Sequence, residues 1–228
     1  MPCAVEPHAT QMRTRRGQSL ALASDGDPTY IVRSGVLMLE ISLPGAERQI
    51  AALFFPGDML RASFAPPRSK ASLLAASAGE VWRLRASMLD TLAAREPAVR
   101  GYVDRVLANR IALQALHATT LGQFDCEQKL ATHLVEIALR AGAWQPAGAV
   151  SFDLPLSRKD IAHYLGLNPD TLSRVISRFK AKGLIKQFDR MRTLIPNFAA
   201  LAACTPAASA LIDLTGARQV PVPLEATA

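Results

Sequence analysis

Leu156 to Pro196 read LSRKDIAHYLGLNPDTLSRVISRFKAKGLIKQFDRMRTLIP, and this stretch decides the architecture. Ser157 stands where a helix N-cap is needed, Asp160 follows three residues on, and Leu156 and Ile161 are spaced as a hydrophobic staple around that cap. Ile161, Ala162 and Leu165 continue at helical spacing until Gly166, a residue that accepts the positive φ of a tight turn. Asn168 then caps a second helix with Pro169 at its first position, where a missing N–H removes no intrahelical bond. The stretch therefore predicts two short helices joined by a glycine turn.

In the second helix Leu172, Val175, Ile176 and Phe179 recur at helical spacing and form an inward stripe. The opposite stripe carries Asp170, Ser173, Arg174, Ser177 and Arg178. An arginine fork matches O6 and N7 of guanine, and a carboxylate accepts from N4 of cytosine, so this face can read base edges in a major groove. Past Gly183, Leu184-Ile185 and Arg192 to Ile195 around an Asp189-Arg190 turn predict a two-stranded wing. Between Asp170 and Arg192 seven basic residues face two acidic ones, so five of the seven net positive charges of the chain lie here. Most basic runs are solvated surface. This one coincides with a capped helix pair and a polar stripe at the start of the second helix, and the partner it predicts is double-stranded DNA. Asp170, Ser173 and Arg174, followed by Ser177 and Arg178, are the candidates for base contacts. Arg158, Lys159, Lys180, Lys182, Lys186, Arg190 and Arg192 are the candidates for phosphate contacts.

The chain has 228 residues, half of them hydrophobic, enough for one large or two small folded domains. No apolar run is long enough to span a bilayer and the first residues lack the order of a signal peptide, so a cytoplasmic protein without a membrane partner is expected. Cys3, Cys126 and Cys204 are far apart and form no CxxC, which indicates neither a disulfide framework nor a zinc knuckle. No Gly-rich phosphate loop, HExxH or GxSxG occurs, so an enzyme is not expected.

Residues 29–41 are aliphatic and β-branched around Ser34-Gly35, Pro44-Gly45 marks a turn, and RQIAALFF follows from Arg48 to Phe55. With the Pro56-Gly57-Asp58 turn and Glu80 to Arg85, they predict antiparallel strands through the first hundred residues, closed by a short helix near 86–94. Arg61 to Ser69 reads as a loop over a pocket. From Ala98 a long helix is predicted, with Val99, Val103, Val106, Arg110, Leu113 and His117 at coiled-coil spacing. Tyr102, Leu107 and Ile111 widen this seam, so one face is expected against the β domain and another against a second copy of the chain. Cys126 to Arg140 predicts a further helix, and the Ala-, Pro- and Thr-rich end predicts a flexible tail.

A β-rich N-terminal part, a long helix and a C-terminal winged helix-turn-helix resemble the Crp/Fnr superfamily of bacterial transcription regulators over residues 25–203. The resemblance is carried by the Ser-Arg-x-Asp-Ile-Ala-x-Tyr-Leu-Gly-Leu run and the Thr-x-Ser-Arg after it, with Ser34-Gly35 and Pro56-Gly57-Asp58 as β-roll turns. It implies an α+β fold in five parts. These are an N-terminal arm (1–24), a β-roll sensor-like domain of the cyclic-nucleotide-binding jelly-roll type (25–97), a dimerisation helix (98–120), the winged helix-turn-helix (121–203) and the tail (204–228). A homodimer on a palindromic operator, with RNA polymerase as a further partner, is implied too. Fnr-like members read a TTGAT-type half-site with a Glu, a Ser and an Arg, which fall here on Asp170, Ser173 and Arg174. The acid is one methylene shorter than in those members.

The family's effector groups are not matched. Cyclic-nucleotide members carry Gly-Glu and Arg-Ser pairs after the Pro-Gly-Asp turn, whereas Met59-Leu60-Arg61-Ala62 stands here and Arg68-Ser69 only echoes the second pair. Iron–sulfur members use four cysteines, and Cys3 is the one cysteine near this N-terminus. No cofactor is therefore expected. A redox- or haem-responsive regulator is the alternative, with His8, His117 or Cys3 as haem ligands or Cys126 as an oxidisable thiol.

Overall fold

The computed structural model describes residues 2–22, 27–45, 48–187 and 192–216. The chain divides into two units, residues 1–112 and 113–228. In the first, β1 (Thr10–Thr14), β2 (Ser19–Leu20), β3 (Pro28–Ser34), β4 (Leu37–Ser42), β5 (Gln49–Phe54), β6 (Met59–Arg61), β7 (Lys70–Ala75) and β8 (Gly79–Arg85) form two antiparallel four-stranded sheets. Their orders are β1-β8-β3-β6 and β2-β7-β4-β5. The helices α1 (Ala86–Arg95) and α2 (Pro97–Gln123) follow, with 97–112 of α2 in this unit.

Alternation along β3 explains the whole layout. Tyr30 and Val32 enter a core with Leu37, Leu39, Phe54, Leu60, Leu73 and Val81, which fills the space between the sheets. Ile31 points the other way, into a second cluster with Val5, Met59, Leu84, Leu89, Val99, Tyr102 and Val103. A strand buried on both faces is a continuous apolar run, which is why residues 29–32 stand out in the sequence. β3 and β4 are not a hairpin, however. The Ser34-Gly35 link carries the chain from one sheet to the other, and it passes so close to Gly79 that a Cβ on Gly35 would lie 2.6 Å from the Ala78 carbonyl oxygen. Only glycine fits that crossing, since Gly35 also has φ +77°.

The N-terminal residues correct the expectation of an arm. β1 pairs with β8, β2 pairs with β7, and Val5 is fully buried. The 61–69 loop contains only a short 3-10 turn, Ala62–Phe64. Arg110, expected on the seam, is turned onto its own domain: its Nη1 donates to the Leu53 carbonyl at 2.9 Å, and its guanidinium lies 4.5 Å from the centre of the Phe54 ring.

The second unit is built round α3 (Cys126–Ala141), which is buried continuously from Leu130 to Ala138. Asp125 caps it, accepting from the N–H groups of Glu127 and Gln128 while Gln128 reaches back to the Asp125 N–H. Around it stand β9 (Ala143–Trp144), β10 (Val150–Asp153), α4 (Arg158–Leu165), α5 (Pro169–Ala181), β11 (Lys186–Gln187), β12 (Arg192–Ile195), α6 (Phe198–Ala202) and α7 (Ala208–Thr215). The wing is larger than expected, because β11 and β12 belong to a four-stranded sheet of order β11-β12-β10-β9. α7 overturns the expectation of a tail from residue 204. Leu211 and Ala207 are buried, and the Thr132 and Thr205 hydroxyls meet at 2.6 Å. Among the described residues no helix is long and apolar enough to cross a membrane.

Candidate nucleic-acid interface

The helix pair forms as its caps dictate. Ser157 Oγ accepts from the Asp160 N–H at 3.1 Å, and the Asp160 carboxylate accepts from the Ser157 N–H and hydroxyl. Gly166 takes φ +59° and ends α4, and Asn168 Oδ1 accepts from the Asp170 N–H at 2.8 Å to start α5. Ile161, Ala162, Tyr164 and Leu165 of α4 and Leu172, Val175 and Phe179 of α5 are buried. Burying side chains of this kind contributes roughly 1.5–3 kcal/mol each for the large aliphatic and aromatic ones, which fixes the rotation of α5.

That rotation leaves Asp170, Ser173, Arg174, Ser177 and Arg178 all exposed on one side. The Ser173 hydroxyl donates to the Pro169 carbonyl and the Ser177 hydroxyl to the Ser173 carbonyl, both at 3.0 Å. With their protons directed back along the helix, both serines present oxygen lone pairs outward and suit an amino group on a base edge. Asp170 lies in the first turn of α5, where the helix dipole favours a carboxylate. Among the described residues Arg174 makes no ion pair with any carboxylate, so its fork is presented whole.

Arg178 differs from this expectation. It pairs with Glu127 of α3 at 3.0 Å, and the same carboxylate holds Lys182 at 2.9 Å. Glu127 is the residue that sequence reasoning missed. As the second residue of α3 it satisfies that helix dipole, and nothing in spacing along the chain shows that α5 passes beside it. Arg158, Lys159, Lys180, Lys186 and Arg192 are exposed, with Lys186 opposite Leu194 in the wing. Arg190 and the Asp189-Arg190 turn lie outside the described residues.

The residues of the expected dimer seam are largely occupied within one chain. Val99 and Val103 lie in the second core of the first unit, and Val106 packs at its edge. In the second unit Leu113 is buried and His117 stacks on Tyr164 with ring centres 4.2 Å apart. His117 lies with His133, Glu136 and Tyr164 around a cavity of about 20 Å³, so a haem does not fit there. His8 and Cys3 are exposed, Cys126 is half-buried, and among the described residues no group of three His, Cys, Asp or Glu is placed to hold a metal ion. Burial raises the Cys204 thiol pKa, against easy thiolate formation, with Lys182 lowering it and Glu127 raising it.

Residues 128–204 match the Crp-like helix-turn-helix domain family. The chain is 29% identical over 187 residues to the transcriptional regulatory protein btr of Bordetella pertussis, covering 81% of this chain and 77% of that protein. It is 31% identical over 173 residues to the transcriptional activator protein Anr of Pseudomonas protegens, covering 75% of this chain and 70% of the relative. Among solved structures, FixK2 from Bradyrhizobium japonicum superposes with a TM-score of 0.73 at 25% identity, covering 88% of this chain and 98% of that one.

Proposed function

The chain belongs to the Crp/Fnr family of bacterial transcription regulators, and from that premise we propose that it binds a palindromic operator as a homodimer and reads base edges with Asp170, Ser173 and Arg174. The observation that carries this reading is the exposed stripe of α5. Its acceptor and donor groups stand on a helix whose opposite face is locked into the core. Base contacts specify the site while Arg158, Lys159, Lys180, Lys186 and Arg192 hold the backbone. Selection of bound duplexes from a random pool tests it. A two-fold symmetric sequence with half-sites about 34–36 Å apart is expected, and enrichment of no sequence over the starting pool would refute it.

A phosphate-binding lysine has a different signature from a base-reading arginine. Lys186→Ala is expected to weaken operator and random DNA by the same factor, and to flatten the plot of log affinity against log salt by about one unit for each phosphate left unneutralised. Titrations at several salt concentrations read both quantities, and a loss confined to the operator contradicts the assignment.

The dimer face is proposed on α2, shifted round the helix from Val99, Val103, Val106, Arg110, Leu113 and His117. Gly101, Asp104, Ala108, Ile111, Ala115 and Ala118 are exposed and recur at heptad spacing, and Ile111 is 71% exposed despite being fully apolar. Ile111→Arg is expected to give a monomer by light scattering and to weaken operator binding by about 10² to 10⁴, the gain that tethering two modules supplies. A variant that stays dimeric moves the interface elsewhere.

RNA polymerase is the proposed further partner and the cytoplasm the proposed place of action. We also infer control by neither cyclic nucleotide nor an iron–sulfur cluster. Arg61, the first basic residue after the Pro-Gly-Asp turn, is engaged by Asp90 at 2.8 Å, and Cys3 stands without the clustered cysteines such a cluster needs.

A further inference from the structure

A cleft of about 420 Å³ opens in the first unit where the N-terminal segment meets the β8–α1 joint, and it is lined by His8, Thr10, Pro28, Arg83, Arg85 and Met88. Strand pairing builds it: Thr10 lies opposite Arg83 across the β1–β8 ladder, and Pro28 opposite Arg85 across β3–β8. Since side chains alternate along a strand, Arg83 and Arg85 share one face of β8, while Leu84 between them belongs to the buried cluster on the other face. Arg83 lies opposite Tyr30, whose hydroxyl it hydrogen-bonds, on the face that Val81 turns toward the space between the sheets, so the two guanidiniums stand on one rigid strand at the edge of that core.

Among the described residues no carboxylate lines this cleft. Arg61 pairs with Asp90 and Arg33 with Glu80, whereas among the described residues Arg85 makes no ion pair. The end of α1 adds charge of the same sign. Arg85 is its N-cap, no side chain caps it, and its first turn holds no acidic residue. The Ala86 N–H at this start is met by the Asp27 carbonyl at 3.0 Å, but no acid in the first turn balances the rest of its partial positive charge. Two arginines, an imidazole and a hydroxyl converge here instead, beside the apolar walls of Pro28 and Met88. Guanidinium forks match carboxylate and phosphate oxygens, and the volume lies in the range of small-molecule sites, roughly 300–1,000 Å³.

We propose that this cleft binds a small organic anion with two or more negative charges, held by Arg83 and Arg85 with His8 and Thr10 at its edge. As a binding site it is independent of DNA recognition. As an effector site, placing the N-terminal segment in ligand sensing, it rests on the regulator reading.

Calorimetric titration of the full chain at constant ionic strength tests it, with citrate and phthalate as carboxylate probes and pyrophosphate and phenyl phosphate as phosphate probes. At least one probe is expected to bind once per chain more tightly than about 1 mM, and the class that binds identifies the oxygen acids preferred. Arg85 is exposed, so Arg85→Gln is expected to fold and to weaken that binding about 10-fold or more. His8→Ala is expected to weaken it less. Binding by no probe, or binding unchanged in Arg85→Gln, overturns the proposal. Operator affinity measured on the same preparation separates the two readings, since intact DNA binding without anion binding removes the cleft alone.

Discussion

Arg174→Ala is expected to lower operator affinity by about 30-fold to 10⁴-fold while lowering affinity for random duplex only several-fold. A good bidentate base contact discriminates by roughly 1–3 kcal/mol, and a two-fold complex loses it at both half-sites. No local acid competes for the fork among the described residues, and the hydrophobic stripe of Leu172, Val175 and Phe179 holds α5 in place without it, so the variant keeps its fold. Anisotropy titrations against the selected operator and a scrambled duplex measure the two affinities side by side. Equal losses on both would show that Arg174 touches phosphate and carries no sequence information.

His133→Leu is expected to remove much of the acid sensitivity of the second unit. Neither ring nitrogen of His133 has a hydrogen-bond partner among the described residues, the side chain is 1% exposed, and desolvation followed by the charge of His117 pushes its pKa down from 6.5 to about 3. The ionisable groups facing it are His117 from α2, Lys129 and Glu136 from α3 itself and Tyr164 from α4. Between those two pKa values the unfolded chain takes up a proton that the folded chain refuses. Stability is therefore unaffected by this group above pH 6.5 and falls as pH drops toward 3, by about 1.4 kcal/mol per unit. Leucine is close to histidine in size and leaves no orphaned nitrogen, so at neutral pH the variant is expected to be equal to wild type or more stable by about 1–3 kcal/mol. Urea unfolding of both proteins from pH 7.5 to 4.5 decides it, because all other carboxylates and histidines contribute alike to each. Parallel pH profiles would sink the assignment.

The helix pair was legible because its signals are local. Ser157, Asp160, Gly166, Asn168 and Pro169 each specify a backbone state within a turn of themselves, and each is found in that state. The two-faced burial of β3 was legible in part. Its apolar run marked a strand, yet periodicity does not say which strand lies beside it, and the neighbours proved to be β8 and β6. β1, with a mostly exposed pattern, and β2, two residues long, offered no periodic run at all. α7 was hidden by composition, since an Ala-rich segment looks solvating until Leu211 finds a core to enter. The α2 seam shows the limit most clearly. Heptad spacing reports that a stripe is covered, not by what, and the stripe from Val99 to Val106 is covered by its own domain. The exposure of the polar stripe on α5 was visible from spacing, while the Glu127 clamp depended on a tertiary contact.

That clamp alters how the charge on α5 is to be counted. Arg178 and Lys182 are not free surface charges, because both already have Glu127 as a partner at half-exposed positions. Pairs of this exposure are worth only about 0–1 kcal/mol, so a competing anion displaces the carboxylate readily. In the proposed DNA complex, where Arg178 is a candidate for a base contact and Lys182 for a phosphate contact, binding at these two side chains would release Glu127 to solvent. Between encounters with the proposed duplex α5 would stay partly neutralised, and dissociation would have a returning carboxylate to help it.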